Sequence, residues 1–311
     1  MAKEEEKVFL SAEGVIAERM FNYVYMYLDS AFLVALLAFL IVRKKYLTAI
    51  FGLFGGLLYF VIDYGIFHLA TGSRHIEGGD MAAVLWWMSM SYGFTNFVWI
   101  WMWYSRDEHK FAWTALIVFW WFCCPMLAET FGQNSPTVHI WRETGAYHGY
   151  MALILFTWFA AAIVFNIVVK DKKKHFPLAW LFATGVAVQF GWEFMLLVGG
   201  IRSAQIVGSF SDKLMTLVVN SLLETNLGSV TSYVIYVAIT AKLTENLKPN
   251  NMTFFGRMAE LNSIPLFKRI KPVDLSADAA AVSSGDTVAA VNTAPPEGSP
   301  VDTPPEDPKN P

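Results

Sequence analysis

Seven stretches of roughly 20 or more residues, nearly free of charge, divide most of this 311-residue chain: about 23–42, 47–70, 84–104, 111–131, 149–169, 177–200 and 214–243. A run of that length crosses the hydrocarbon core of a bilayer as an α-helix. In hydrocarbon, only a helix or a closed barrel satisfies every backbone N–H and C=O. The sequence therefore predicts an all-α polytopic membrane protein with seven transmembrane helices. Composition agrees, with 55% hydrophobic residues and 12 Trp, since indole favours the membrane interface. A net charge of −3 argues against a nucleic-acid partner.

Orientation follows from the short loops, because Lys and Arg collect on the cytoplasmic side. Arg43, Lys44 and Lys45 follow the first span, and Arg106 and Lys110 the third. Lys170, Lys172, Lys173 and Lys174 follow the fifth, and Lys242 ends the seventh. The other loops carry mainly Arg74, Arg142, Arg202 and Lys213. An N-out, C-in chain is expected, in the plasma (inner) membrane. The opening residues are acidic (Glu4, Glu5, Glu6) rather than basic, so the first span serves as its own insertion signal.

Residues 1–22 read as an extracytoplasmic segment and 23–243 as the seven-helix domain. Residues 244–272 mix Phe254, Phe255, Met258, Leu261 and Phe267 with Arg257, Lys268 and Arg269, which reads as a cytoplasmic interfacial segment. Residues 273–311 are rich in Ala, Pro, Ser and Thr and read as a disordered cytoplasmic tail. The last span is long, and Leu214 to Leu223 are expected to be tilted or broken.

Shifting the chain by 130 positions lays spans two and three on spans six and seven. Asp63 then falls on Glu193, and Thr95-Asn96 on Thr225-Asn226. This suggests a 3+1+3 repeat, with the fourth span as linker.

Acids inside a membrane are costly and need a reason. Asp29, Asp63, Glu129, Glu193 and Glu224 lie within or at the ends of spans. Asp63 and Glu193 each lie 16 residues past the cytoplasmic start of their helices, roughly 24 Å at 1.5 Å per residue. All five acids are expected in the outer half of the bilayer. Gly52, Gly56, Tyr59 and Asp63 share one helical face, as do Gly185, Gln189, Glu193 and Gly200. Asn220, Glu224, Gly228 and Thr231 form a third face, and Ser89, Tyr92, Asn96 and Trp103 a fourth. A shared cavity would use Tyr59, Asp63, Tyr92, Asn96, Gln189, Glu193, Glu224 and Asn226 to bind substrate or protons. The alternative is that Arg74, Arg142 and Arg202 cap the acids from the outer loops as fold-stabilising pairs. Asp29 and Glu129 fit that alternative most easily.

His68, His75, His139 and His148, with Glu77, Asp80 and Glu143, lack the tight spacing of a zinc site, so no metal or other cofactor is expected. Cys123 and Cys124 read as packing residues. Trp99 and Trp103 could share a face and stack on a ligand, although lipid-facing or interfacial placement of the third-span Trp residues is the first expectation.

An Asn in the third and seventh spans of an N-out repeat, Asn96 and Asn226, resembles the SWEET and PQ-loop transporters. In that family these Asn residues line the sugar site. Pro177 stands where the family keeps a Pro, but Leu47 replaces the matching Pro of the second span and no Pro-Gln occurs. Trp192-Glu193, followed by Thr225-Asn226-Leu227-Gly228 and Tyr233, resembles the small seven-helix integral-membrane terpene cyclases. That resemblance implies Glu193 as the acid that starts cyclisation.

Three functions are therefore expected in turn. The first is a permease for a small solute, proton-coupled through Asp63 and Glu193. The second is an intramembrane enzyme on a lipid or terpenoid, with Glu193, Asp63 and Glu224 catalytic. The third is a seven-helix sensor; it would not be a retinal pigment, since no Lys lies mid-helix in the seventh span. Partners are the lipid bilayer and a small-molecule ligand or lipophilic substrate.

Overall fold

The computed structural model describes residues 17–142, 147–201, 217–218 and 221–266. Expectations that fall on Glu143, Arg202, Lys213, Asn220, the side chain of His148 and the tail 273–311 lie outside these residues. Six helices are long and apolar enough to cross a membrane: Tyr23–Val42, Tyr46–Ala70, Lys110–Phe131, Gly149–Val168, Lys172–Val198 and Ser221–Thr240. They define a multi-pass helical membrane protein. Ile167, Val168, Phe156 and Val42 are exposed on its flanks, as lipid contact requires.

The chain opens with strand β1 (Ala17–Asn22) and helix α1 (Tyr23–Val42). Asn22 caps α1, its side-chain oxygen accepting from the Tyr25 N–H at 2.7 Å, which satisfies one free donor of the first turn. Helix α2 (Tyr46–Phe60) continues as a π-helical stretch, Val61–Ala70. Strand β2 (Arg74–Glu77) follows.

The third predicted span is helical but divided into α3 (Met81–Ser89), a π-helical stretch (Met90–Phe94) and α4 (Thr95–Tyr104). Ser89, Ser91, Tyr92, Gly93 and Asn96 dilute its apolar character, and it is not one of the six apolar spans. Then come α5 (Lys110–Phe131), β3 (Thr137–Arg142), α6 (Tyr147–Val168) and α7 (Leu178–Val198). The last bundle helix is interrupted by a 3-10 turn, Asn226–Gly228, before α8 (Ser229–Thr240). A short helix, α9 (Phe254–Ser263), closes the described chain.

The chain is mostly helical, as expected of an all-α membrane protein, with one small sheet outside that expectation. Three strands from separate connections form an antiparallel sheet in the order β1-β3-β2 at one end of the bundle. Arg19 faces Ile140 and Phe21 faces Val138, while Arg74 faces Arg142 and Ile76 faces Ile140. Alternation in a strand puts Arg19, Phe21, Arg74, Ile76, Val138, Ile140 and Arg142 on one face. That face turns to the bundle, with Phe21, Val138 and Ile140 buried. Met20, His75, Glu77, His139 and Trp141 occupy the other face, where the His75 and Trp141 rings stack at 5.4 Å.

α4 runs through the middle of the bundle, packed by α2, α5, α7 and α8. Trp99 and Trp101 are therefore buried, not lipid-facing as expected; with neighbours on every side, α4 has no lipid face to give them. α2 approaches closely because it is glycine-rich: a Cβ at Gly52 would stand 2.7 Å from Val98 and 2.8 Å from Phe94. This close approach is what a small-residue stripe allows.

At the end opposite the sheet, where the basic loops lie, α9 packs under the bundle with Met258 and Leu261 buried. Asn262 donates to the carbonyls of Lys173 at 2.9 Å and His175 at 2.8 Å. Arg257 donates to Thr240 Oγ1 at 3.2 Å, and Arg106 reaches the Ile264 carbonyl. Residues 254–263 of the expected interfacial segment thus form a helix that, with Ile264, is tied to two connections of the bundle and to the end of α8.

Candidate functional site

Each strand of the sheet lends one arginine to one acid, two of them buried and the third, Glu224, half-buried, and each acid comes from a different span. Arg74 on β2 pairs with Asp63, which lies in the π-helical end of the second span. Arg19 on β1 pairs with Glu193 on α7 at 3.5 Å. Arg142 on β3 pairs with Glu224, just before the 3-10 turn, at 3.1 Å. Burial works against the Arg74 charge, but Asp63 beside it, with Tyr92 and Glu224, holds its pKa above the ordinary guanidinium value. The capping expectation is met for Arg74 and Arg142, while Arg202 lies outside the described residues.

Side chains link the three pairs. The Tyr92 hydroxyl donates to Asp63. Gln189 on α7 donates to Glu224 at 2.6 Å and to Glu193 at 3.4 Å. Its carbonyl oxygen accepts from Thr225 at 2.7 Å. Arg19 also lies over the Tyr92 ring, 5.9 Å from its centroid. Charge-assisted hydrogen bonds of this kind are the strong ones. Removing one member leaves a buried charge uncompensated.

Beside this network lies a wall of rings. Tyr59 and Tyr92 are 4.6 Å apart, Tyr92 and Trp192 5.8 Å, Trp192 and Trp121 5.1 Å, and Trp121 and Trp99 5.9 Å. Within it Asn96 is wholly buried. Neither polar atom of its amide has a partner in hydrogen-bonding geometry, although the Tyr59 hydroxyl approaches both Asn96 and Thr225. Asn226 is buried too. Its Nδ2 donates to the Leu222 carbonyl at 3.1 Å, but its Oδ1 is unpartnered. Gly185 on α7 makes room for that amide, since any Cβ there would collide with it. Buried polar atoms are nearly always bonded, so these amides stand out among the described residues.

The structure thus gathers Tyr59, Asp63, Tyr92, Asn96, Gln189, Glu193, Glu224 and Asn226 around one region. It corrects the expectation for two other acids. Asp29 is buried yet has no arginine partner among the described residues; the Trp120 indole donates to its Oδ1 at 3.0 Å. Glu129 is exposed and also has no cationic partner among the described residues.

Sequence reasoning missed Arg19, which stands in a segment read as a tail. Its alternation with the apolar Phe21 ahead of the first span was the available signal. Among the described residues no group of three His, Cys, Asp or Glu could hold a metal ion. Cys124 is buried and Cys123 half-buried, both free thiols. No family model, curated protein or solved structure matches the chain.

Proposed function

We propose that the chain is a seven-helix permease for a small solute, with the sheet outside the cell and α9 in the cytoplasm. The basic residues of the connections near α9 support this orientation. Two helix irregularities carry the functional reading. The π-helical stretch of the third span ends immediately before Thr95-Asn96, and the 3-10 turn of the seventh starts immediately after Thr225. The two Thr-Asn pairs are 130 positions apart, like Asp63 and Glu193. Interrupted helices at matching points of two halves are the recurrent substrate-site architecture of repeat-built transporters. In this reading Asn96 and Asn226 meet the solute from the two halves.

The three arginine–carboxylate pairs then form the outer closure. Because arginine neutralises Asp63, Glu193 and Glu224, these acids serve as latches whose pairs must part for the outer mouth to open. α9, pinned to the connections on the other side, forms the inner closure.

A second reading is an intramembrane enzyme, favoured by the ring wall, in the middle of which Trp192 precedes Glu193 on α7. Aromatic faces stabilise cationic intermediates, and Glu193 would then supply a proton once freed from Arg19.

Proteoliposomes separate the readings. For a permease, counterflow of a solute from a chemically diverse panel is expected. It should fall about tenfold in Asn96→Ala, the effect of losing ~1.4 kcal/mol of binding. Absence of flux for every solute, with turnover of an added prenyl lipid, would replace the permease reading by the enzymatic one.

A further inference from the structure

We infer that Asp29, not the arginine-paired acids, is the site of reversible protonation in this protein; in the permease reading it is the coupling residue. The inference rests on which carboxylate lacks a cation. Asp63, Glu193 and Glu224 each have an arginine. Asp29 on α1 is 1% exposed, and among the described residues its polar neighbours are dipoles. Trp120 of α5 donates to Oδ1 at 3.0 Å. Oδ2 has no partner in hydrogen-bonding geometry, though Ser91 and Trp87 of the third span approach the carboxyl. The titratable groups near it are Tyr25 one turn away on α1, and Cys124 with Cys123 beyond it on α5. Among the described cations, Arg19 of β1 acts on Tyr25 and pairs with Glu193.

The ligand that fits is a proton. A metal cation needs several oxygens, whereas two of the three groups turned to this carboxyl are indole N–H donors. On protonation an O–H bond forms at Oδ2, and the Ser91 hydroxyl, itself unpartnered, can accept from it. On release the proton returns to water and Oδ1 keeps its Trp120 bond.

Access comes from the sheet end. A cleft of about 400 Å³ lined by Asn22, Tyr25, Ala128 and Glu129 reaches Tyr25, one helical turn from Asp29. Ser91 and Tyr92 are neighbours in the same π-helical stretch. One side chain faces Asp29 and the other holds Asp63. The protonation of Asp29 can therefore shift the stretch on which the outer closure depends.

Infrared pH-difference spectra of the purified protein in lipid test this directly. We expect a titrating protonated-carboxyl C=O band that disappears in Asp29→Asn, persists in Asp63→Asn and changes frequency in Ser91→Ala. The Ser91→Ala shift keeps the test readable if Asp29→Asn fails to fold. An unchanged band in Asp29→Asn, no titrating band in the wild type, or no shift in Ser91→Ala overturns the assignment. Flux separates this inference from the permease reading. A titrating Asp29 with no solute movement leaves the proton site and removes the permease; equal proton coupling in Asp29→Asn and wild type does the reverse.

Discussion

Arg74 and Arg142 face one another directly across the β2–β3 pairing, yet each reaches a different helix, Arg74 to Asp63 and Arg142 to Glu224. Two like charges side by side on a sheet repel. Here each guanidinium is drawn down to its own carboxylate, so the pair of strands works as a two-pronged clamp, with Arg19 as the third prong. The sheet has three strands, and an isolated hairpin is at best marginal. It is held to the bundle by the buried Phe21, Val138 and Ile140, and it depends on the acids that its arginines reach.

The first prediction concerns that dependence. Arg74→Ala leaves Asp63 buried without its cation, and should cost about 3–5 kcal/mol. The double variant Arg74→Met, Asp63→Leu should recover most of the loss, because it removes both charges. Thermal unfolding in detergent, read by circular dichroism, measures both; equal losses in the single and double variants would show that packing, not the pair, is at stake.

Asn96 gives the opposite expectation. Its amide makes no hydrogen bond among the described residues, so Asn96→Leu should keep or raise stability, by about 1 kcal/mol where a buried unsatisfied group is removed. The same variant should lose solute binding. A substantial fall in melting temperature would mean the amide is already satisfied in the folded protein.

Gly185 tests the packing around Asn226. A methyl group at Gly185 meets the Asn226 amide, whereas one at Gly65 lies 3.9 Å from the nearest atom, on Val61. Gly185→Ala should therefore lower flux and cost about 1–3 kcal/mol through overpacking. Gly65→Ala is the control and should be silent or mildly stabilising. Parallel transport and melting measurements decide, and equal behaviour of the two would remove Asn226 from the site.

On the opposite side, Met258 is fully buried beneath the bundle. Met258→Ala should cost about 2–5 kcal/mol if α9 unfolds with the bundle. If α9 detaches independently, as an inner closure requires, global melting should move little. Hydrogen exchange should instead rise within residues 254–263 alone.

The site was partly legible in the chain. The acids announced themselves because charge in an apolar run is conspicuous, and Asp63, Glu193 and Glu224 do converge. The Thr-Asn pairs were visible as a recurrence, but the helix breaks beside them were not, since π and 3-10 turns leave no periodicity to read. Arg19 was missed because strand alternation over six residues is a weak signal beside a twenty-residue apolar run. Asp29 and Glu129 were misjudged for a related reason: which acid an arginine reaches depends on the register of strands that pair across distant loops.

The sequence by itself determined what the solvent enforces locally: long apolar stretches that must be helical, and acids within them that must be satisfied. Tertiary structure alone decided the partners. Sheet register chose which carboxylates are neutralised. The central position of α4 turned tryptophans expected at the lipid into a buried wall. Both outcomes depend on contacts between residues far apart in the chain, whose geometry no local pattern encodes.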